Sequence, residues 1–204
     1  MQRVRAYIDG FNLYHGTQER YGLIYHWLDA QALARCLLRR GQRLESVRYF
    51  TARVRGQHHG RHRQDLHLQA IAAHCQLVEI VEGRFQEQRR RCPHCPAKWV
   101  SYEEKETDVN IAISLVEDAA LSLYDVALLI SADSDLCPAV KAAKRLNPKA
   151  KIIAVFPPKR QSDQLARLCD TVLRIDRTML NRSQLPAKVV SAAGVELTRP
   201  EHWI

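Results

Sequence analysis

The sequence predicts an α/β protein in which a mainly parallel sheet of about five to six strands carries helices on both faces. Short apolar runs and stretches of helical periodicity alternate about six times along the chain. Such alternation is typical of parallel sheets, because a helix usually connects each strand to the next. The chain has 204 residues, of which 46% are hydrophobic and 26% are charged. This length and composition suit one globular domain with a proper core.

The amino-terminal half is expected to contain three strands and two helices. An apolar run ends at Asp9-Gly10, a helical repeat of apolar residues stops at Gly41, and an alternating stretch follows. Alternation is typical of a half-buried strand, whereas a repeat every three to four residues is typical of a helix. A basic, His-rich stretch at 57–63 is expected to be a loop. The predicted strands are 4–8, 46–54 and 77–81, and the predicted helices are 28–40 and 63–75.

The carboxyl-terminal half repeats the alternation more clearly. Thr107 is a good N-cap for a long helix, a strongly apolar strand comes next, and Pro157-Pro158 closes the strand after that. Between the two halves, residues 84–102 are charged and lack a clean period, so we expect an insertion there. The predicted helices are 108–122, 138–146 and 162–169, and the predicted strands are 126–130, 151–156 and 171–175.

The regular pattern fades after residue 180. We therefore expect one domain at 1–180, with the insertion at about 84–102, and a carboxyl-terminal tail at 181–204. The tail ends in His202-Trp203-Ile204. A large amphipathic Trp side chain at such a place usually anchors a tail onto its own domain or onto a second subunit. A homodimer is therefore a candidate assembly.

Acidic residues stand where a parallel sheet can bring them together. Asp9 ends the first strand, Asp133 and Asp135 follow strand 126–130, and Asp108 opens the helix after the insertion. Ligands of open α/β sheets bind at the carboxyl ends of the strands. Two carboxylates about 4 Å apart repel by roughly 4 kcal/mol at an effective dielectric of ~20. Either their pKa values rise or a hard cation lies between them.

Each acidic segment also has a purely structural interpretation. Asp9 and Asn12 can cap the segment that follows them. Asp108 in the first turn of a helix is favoured by the helix dipole. Asp133 can form an Asx turn into the next helix. The three segments have to be considered together before a function follows.

Together, the three segments resemble the NYN domains, a branch of the PIN-like nucleases, and in particular the LabA-like group. They read Tyr7-Ile8-Asp9-Gly10-Phe11-Asn12-Leu13, Glu104-Lys105-Glu106-Thr107-Asp108-Val109-Asn110-Ile111 and Leu129-Ile130-Ser131-Ala132-Asp133-Ser134-Asp135-Leu136. Their order and spacing agree with that family over roughly residues 3–176.

The resemblance implies a Rossmann-like PIN fold and metal-dependent ribonuclease chemistry. By matched position, it implies that Asp9, Asp108 and Asp133 bind the metal, with Asp135 as a fourth acid and Asn12 as the accompanying polar residue. Oxygen ligands suit Mg²⁺ or Mn²⁺. Such an ion can activate a water and stabilise the charge that develops during phosphodiester hydrolysis.

The charge balance points to a polyanionic partner. The net charge is +9 and the isoelectric point is about 9.5, values that favour nucleic acid. The predicted RNA contacts are Arg89, Arg90, Arg91, Lys98 and Trp99 in the insertion, with Lys159 and Arg160 at a strand end. Guanidinium groups pair with phosphates and an aromatic ring stacks on an unpaired base, so single-stranded RNA is the expected substrate. A second basic cluster consists of Arg53, Arg55, Arg61 and Arg63. The alternative interpretation of each basic cluster is a solvent-exposed surface that contacts no RNA.

Cys92-Pro-His-Cys95 has the spacing of half a zinc knuckle. A structural Zn²⁺ site needs four ligands, and the candidates for the rest are His74, Cys75, His94 and the loop histidines 58, 59 and 62. The alternative is a reduced cysteine pair in an exposed loop. Soft thiolates and hard carboxylates prefer different metals, so a zinc ion here would be structural.

The sequence contains no apolar run that approaches the ~20 residues of a membrane span, and it begins without an apolar signal-peptide region. We therefore expect a cytoplasmic protein. The leading hypothesis is a metal-dependent ribonuclease. The alternatives are a non-catalytic NYN module that binds RNA or a protein, and an enzyme that acts on a small phosphorylated metabolite.

Overall fold

The computed structural model describes residues 1–53 and 58–203, except for the side chains of residues 58, 59 and 202. Its centre is a seven-stranded sheet in the order β4-β3-β2-β1-β5-β6-β7. All neighbouring strands are parallel except β3 and β4. The predicted α/β class is confirmed, with one strand more than the upper expectation. The strands are β1 Gln2–Asp9, β2 Gln42–Ala52, β3 Val78–Arg91, β4 Lys98–Lys105, β5 Val126–Ile130, β6 Lys151–Phe156 and β7 Thr171–Arg174.

Helices cover both faces of the sheet, as predicted. Alternate residues of β1 point to opposite faces, so Ile8 packs in one apolar core and Tyr7 in the other. The first core contains Leu13 of α1 and Leu33 of α2, and the second contains Leu115 of α4. The helices are α1 Gly10–Tyr21, α2 Ala30–Cys36, α3 His58–His74, α4 Thr107–Ala120, α5 Cys137–Leu146, α6 Asp163–Leu168 and α7 Arg177–Arg182.

The insertion is a β-hairpin rather than irregular chain. β3 pairs with β2 only as far as Gly83 and then continues to Arg91, where its partner is β4. We call residues 84–105 the arm. The arm is exposed or half-buried on both faces, so its sequence shows no alternation of apolar and polar residues. This is why the sequence did not predict its strands.

Three local predictions were wrong. Helix α1 was not predicted, because its face toward the core includes Gly10, Gly16 and Thr17 and gives a weak apolar repeat. Helix α3 begins at His58, within the stretch that was expected to be a loop. Thr107 is the first residue of α4 and not its N-cap; the cap position belongs to Glu106, at φ 80°. The predicted strand end at residue 54 and the loop start at residue 57 lie outside the described residues.

The tail contains a short hairpin, with β8 Lys188–Val190 antiparallel to β9 Glu196–Thr198. Trp203 follows and is only 3% exposed. Its ring lies 6.2 Å from that of Trp27 and 5.9 Å from that of His67 of the same chain. None of the helices in the described part of the chain is long and apolar enough to cross a membrane.

Candidate functional site

Asp9 is held at the carboxyl end of β1, where it caps helix α1. Its Oδ1 accepts a hydrogen bond from the Asn12 backbone N–H at 2.9 Å, and its Oδ2 accepts one from the Ser131 hydroxyl at 2.8 Å. The side chain is only 5% exposed. Burial raises the pKa of Asp9, the two hydrogen bonds oppose this, and the charges of Asp133 and Glu104 raise the pKa further. The capping interpretation of Asp9 is therefore correct, and the same carboxyl group is close enough to Asp133 and Glu104 for their charges to affect it.

The turn after β5 contacts the turn after β1, which carries Asp9 and Asn12. The Asn12 side-chain oxygen accepts a hydrogen bond from the Ala132 backbone N–H at 3.1 Å, which ties the two turns together. The Ser131 hydroxyl accepts one from the Asp133 N–H at 3.0 Å. Asp133 in turn accepts one from the Asp135 N–H at 2.9 Å, the geometry of an Asx turn. Asn12 and Ser131 thus fix where Asp133 stands relative to Asp9.

The third acidic segment arrives from the base of the arm. Asp108 lies in the first turn of α4, beside Glu104 at the end of β4. Burial and then the charges of Asp133, Asp9, Glu104 and Asp135 raise the pKa of Asp108 to about 6. Glu104 accepts hydrogen bonds from the backbone N–H and the hydroxyl of Thr107. The mutual repulsion expected for clustered carboxylates is therefore present.

These groups line one cleft of about 300 Å³, which we call the acidic cleft. Its lining residues are Asp9, Phe11, Asn12, His15, Glu104, Thr107, Asp108, Asp133 and Arg160. Asp135 is exposed and does not line the cleft, although its charge reaches Asp108. Sequence reasoning did not select Glu104, Phe11 or His15. From the sequence, Glu104 was named only as the first residue of the segment that carries Asp108, because its strand was not predicted.

The donor set of the acidic cleft suits a hard divalent cation. Carboxylate oxygens are the ligands that Mg²⁺ and Mn²⁺ prefer, and a cation would relieve the repulsion around Asp108. Both Asp9 oxygens already accept one hydrogen bond each, but each keeps a second lone pair. Among the side chains that the structure describes, no three of His, Cys, Asp or Glu stand close enough together to hold an ion as they are placed. Binding would therefore draw the carboxylates together.

The arm projects beyond the edge of the sheet at which the acidic cleft lies. Its outer part, residues 88–99, contains Arg89, Arg90, Arg91 and Lys98 and no acidic residue. Trp99 is 50% exposed. Arg90 pairs with Glu103 and also donates to Ser101, while Arg89 lies 3.5 Å from Glu87. The five predicted RNA-binding residues of the insertion thus occupy one projecting element.

The other predicted basic contacts differ in their relation to the acidic cleft. Arg160 lines the cleft and pairs with Glu19 at 2.9 Å. Lys159 is exposed in a left-handed conformation at φ 57° and does not line the cleft. In the second basic cluster, Arg53 forms ion pairs with Glu82 at 2.7 Å and Asp65 at 2.8 Å. Arg55 lies outside the described residues.

Cys92 and Cys95 lie at the tip of the arm with free thiols. Hydrogen bonds from the His94 backbone N–H and from the Cys95 thiol lower the pKa of Cys92. His74 and Cys75 precede β3, whose fourteen residues separate them from Cys92 by roughly 45 Å. They are therefore excluded as zinc ligands at this tip. The side chains of residues 58 and 59 lie outside the described part of the chain.

A larger cavity of about 460 Å³ adjoins the acidic cleft. Phe11 and His15 line both spaces. The cavity walls come mainly from α1, α3 and the chain between α1 and α2, and Trp203 of the tail closes one side. The sequence does not predict this cavity, because the cavity depends on aromatic residues of helix α1, which was not predicted. We call it the aromatic cavity.

A sequence profile of the NYN domain family matches residues 3–176. The chain belongs to the NYN domain family. The predicted family is thereby confirmed, and the segments that carry Asp9, Asp108 and Asp133 all lie inside the match. Membership in this PIN-like family agrees with the parallel sheet and its acidic edge.

Two further comparisons show what this NYN protein is similar to. The 6-hydroxy-3-succinoylpyridine 3-monooxygenase HspA of Pseudomonas putida is 27% identical over 194 residues. The alignment covers 78% of this chain and 61% of HspA, so the chain spans about three-fifths of that relative. A crystal structure of VPA0982, a protein of unknown function from Vibrio parahaemolyticus, superposes with a TM-score of 0.57 at 17% identity. It covers 90% of this chain and 96% of the other, which shows a shared fold.

Proposed function

We propose that this NYN protein is a metal-dependent ribonuclease that hydrolyses phosphodiester bonds of single-stranded RNA at the acidic cleft. The observation that carries the proposal is the convergence of Asp9, Asp108 and Asp133, from three distant segments, on one cleft. Glu104 adds a fourth carboxyl group to the lining. Membership in a PIN-like family supports nuclease-type chemistry for such a cleft.

The proposed cofactor is Mg²⁺ or Mn²⁺, held by Asp9, Asp108 and Asp133, with Asp135 as an outer ligand. When bound, such an ion supplies charge stabilisation and lowers the pKa of a water. Arg160 lines the cleft, and we propose that its guanidinium group pairs with a phosphate oxygen there. Asn12 keeps the two turns in register through its bond to Ala132. Without the ion, burial and the neighbouring carboxylates raise the pKa of Asp108 to about 6, and a bound cation would lower this pKa because it stabilises the charged form.

The proposed partner is RNA, bound along the arm toward the cleft. Four cations on residues 88–99 can contact phosphates, and the half-exposed Trp99 ring can stack on a base. Phosphate contacts carry no sequence information, so this surface binds RNA without sequence preference. A cytoplasmic location suits such a substrate.

The direct test is a cleavage assay on single-stranded RNA with Mn²⁺ or Mg²⁺, with and without a chelator. The proposal expects chelator-sensitive cleavage and a loss of at least about 100-fold in Asp133→Asn. The Asn side chain keeps the oxygen that accepts the Asp135 N–H, so the turn should persist. Asp163→Asn, an exposed acid outside the cleft, is the matched control. Unchanged cleavage by Asp133→Asn contradicts the assignment, and RNA binding without turnover supports the non-catalytic alternative.

A second candidate function is the binding of a free nitrogen heterocycle. HspA carries a pyridine compound in its name, and the aromatic cavity of this chain offers aromatic walls for such a ring. Calorimetric titration of 2-hydroxypyridine into the protein tests this candidate. Binding of the heterocycle in the absence of any RNA affinity would favour it over the ribonuclease.

A further inference from the structure

The aromatic cavity has the size and lining of a site for one planar ring. Its 460 Å³ lies within the range of ligand pockets, about 300–1,000 Å³. Aromatic contacts run along its wall from the acidic cleft to the tail. The ring centroids of Phe85 and Phe11 are 5.9 Å apart, those of Tyr14 and His26 are 4.3 Å apart, and those of His26 and Trp203 are 5.6 Å apart. A flat ligand can stack between such walls.

Polar atoms of three lining residues are buried without partners. Thr17 is 2% exposed, His26 5% and Trp203 3%. Within the described residues, the Thr17 hydroxyl, both ring nitrogens of His26 and the indole nitrogen of Trp203 make no hydrogen bond. Buried polar groups are almost always paired, and each unpaired one carries a desolvation cost. Because these atoms have almost no accessible surface, a ligand with donors and acceptors on its edge would pair with them after small rotations of the side chains.

The histidines of the cavity are neutral at physiological pH. Burial lowers the pKa of His26 to about 4, a value that also includes repulsion from His67 when that ring is protonated. Burial also lowers the pKa of His67 to about 4, although its hydrogen bond to the Leu28 carbonyl opposes the shift. Burial and the charge of Arg160 lower the pKa of His15. The neutral rings of this wall therefore suit an uncharged ring, and Arg63 is a cation of the same lining.

The cavity and the acidic cleft are adjacent, because Phe11 and His15 line both. A nucleotide offers an uncharged ring and, next to it, an anionic phosphate. We propose that the aromatic cavity holds one unstacked nucleobase of the RNA whose scissile phosphate lies in the acidic cleft. This rests on the proposed ribonuclease function and adds a base-recognition subsite to it. Free mononucleotides would present the same chemistry.

Two conservative variants probe the subsite. Thr17→Val removes the hydroxyl at nearly constant volume, and Trp203→Phe removes the indole N–H but keeps an aromatic ring. Thr198→Val, an exposed position of β9, is the matched control. The four nucleoside monophosphates and 2-hydroxypyridine are titrated into each protein by calorimetry in EDTA. Thermal melts of each variant report folding separately.

Cleavage is then measured with Mn²⁺ on a short RNA in which an abasic residue replaces each base in turn. We expect one position, next to the scissile phosphate, where the abasic residue lowers kcat/KM about tenfold or more in the wild type. In Thr17→Val, the ratio of kcat/KM between intact and abasic RNA should be about tenfold smaller than in the wild type. The affinity for mononucleotides should fall by a similar factor. Thr198→Val should match the wild type in both measurements.

The outcomes separate the two proposals. Equal cleavage of intact and abasic RNA, with no effect of Thr17→Val, overturns the base subsite and leaves the ribonuclease standing. Mononucleotide binding that Thr17→Val weakens, without cleavage in any metal, supports the subsite and removes the ribonuclease. Binding of 2-hydroxypyridine with no affinity for any mononucleotide overturns the subsite.

Discussion

At the scale of single residues, the raised pKa of Asp108 reflects the concentration of negative charge in the acidic cleft. Its carboxyl group is half-buried, and the charges of Asp133, Asp9, Glu104 and Asp135 raise its pKa. The sequence could place Asp9, Asp108 and Asp133 together, because strand ends and helix starts share one sheet edge. It could not place Glu104, whose position depends on pairing within the arm. Nor could it show that Asp135 turns outward, because the Asx turn of Asp133 decides this.

The raised pKa of Asp108 makes stability depend on pH in a defined direction. Between pH 3.8 and about 6, the folded protein keeps a proton that the unfolded chain has lost. The free energy of unfolding therefore falls as pH rises through this window. Asp108→Asn removes the charge and should be more stable than the wild type at pH 7.5, by about 1–2 kcal/mol after solvent screening, with the difference vanishing near pH 4.

Urea denaturation of Asp108→Asn and the wild type at pH 4 and pH 7.5 measures this difference. Asp163→Asn, in which the replaced carboxyl group is exposed, is the control, and its stability should stay close to that of the wild type at each pH. A variant that is less stable than the wild type at pH 7.5 would contradict the described repulsion.

At the scale of elements, the arm and the contact between α1 and the β6–α6 turn shape the site. The strands of the arm pair only with each other beyond Gly83, so its outer part adds little to the apolar cores. Sequence periodicity predicted the core strands well, because burial on one or both faces leaves an apolar signal. It failed for the arm, because the residues of the arm are exposed or half-buried. It failed for α1, because the core face of that helix contains small residues and gives a weak apolar repeat.

Shortening the arm should separate RNA binding from folding. Replacing residues 88–101 by Asn-Gly joins the paired residues Glu87 and Tyr102 through a two-residue turn and keeps Phe85 and Glu104. The free energy of unfolding should change by less than about 1 kcal/mol, since the removed segment has no described core contact. The slope of log affinity for single-stranded RNA against log salt concentration should become shallower by up to about 3, because four phosphate contacts are lost.

A control for the loss of charge removes two positive charges at the opposite edge of the sheet. Arg39 and Arg40 precede β2, so Arg39→Gln/Arg40→Gln alters the net charge away from the proposed RNA path. Filter-binding or anisotropy titrations over several salt concentrations measure both slopes. Equal slopes for the shortened arm and the wild type would show that the arm does not bind RNA.

Helix α1 packs against the turn after β6 through Gly16. A Cβ atom at this position would lie 2.3 Å from the Pro158 carbonyl oxygen and 3.0 Å from Arg160 Cγ. Gly16→Ala should therefore push the helix away and lower the free energy of unfolding by about 1–3 kcal/mol. Cleavage should fall as well, because Asn12 and Arg160 are displaced.

Gly22→Ala is the comparison for Gly16→Ala. Gly22 has φ 68°, and a Cβ atom added there would meet no described atom within 4 Å, so that substitution tests backbone strain alone. Because φ 68° with ψ −143° is a region that residues other than glycine rarely adopt, the substitution should cost about 1–3 kcal/mol and leave cleavage unchanged. Chemical denaturation together with the RNA assay compares the two variants, and equal activity in both would refute the positioning role of this contact.

At the scale of the whole molecule, a parallel sheet brings distant segments to one edge, and the site forms there. The alternation of strands and helices was enough to predict this architecture, and the three acidic segments were enough to predict the NYN family. The aromatic cavity was not predictable, because it combines α1, α3 and Trp203 of the tail, and no local pattern links them. Tertiary packing alone decides that such residues meet.

The whole account depends on a divalent cation at the acidic cleft. The most direct measurement is anomalous diffraction from crystals of the wild type and of Asp133→Asn soaked in Mn²⁺. We predict an anomalous peak in the wild type within coordination distance of the Asp9, Asp108 and Asp133 carboxylates, and a weakened or absent peak in Asp133→Asn. A wild-type crystal with no manganese at this cleft would contradict the account.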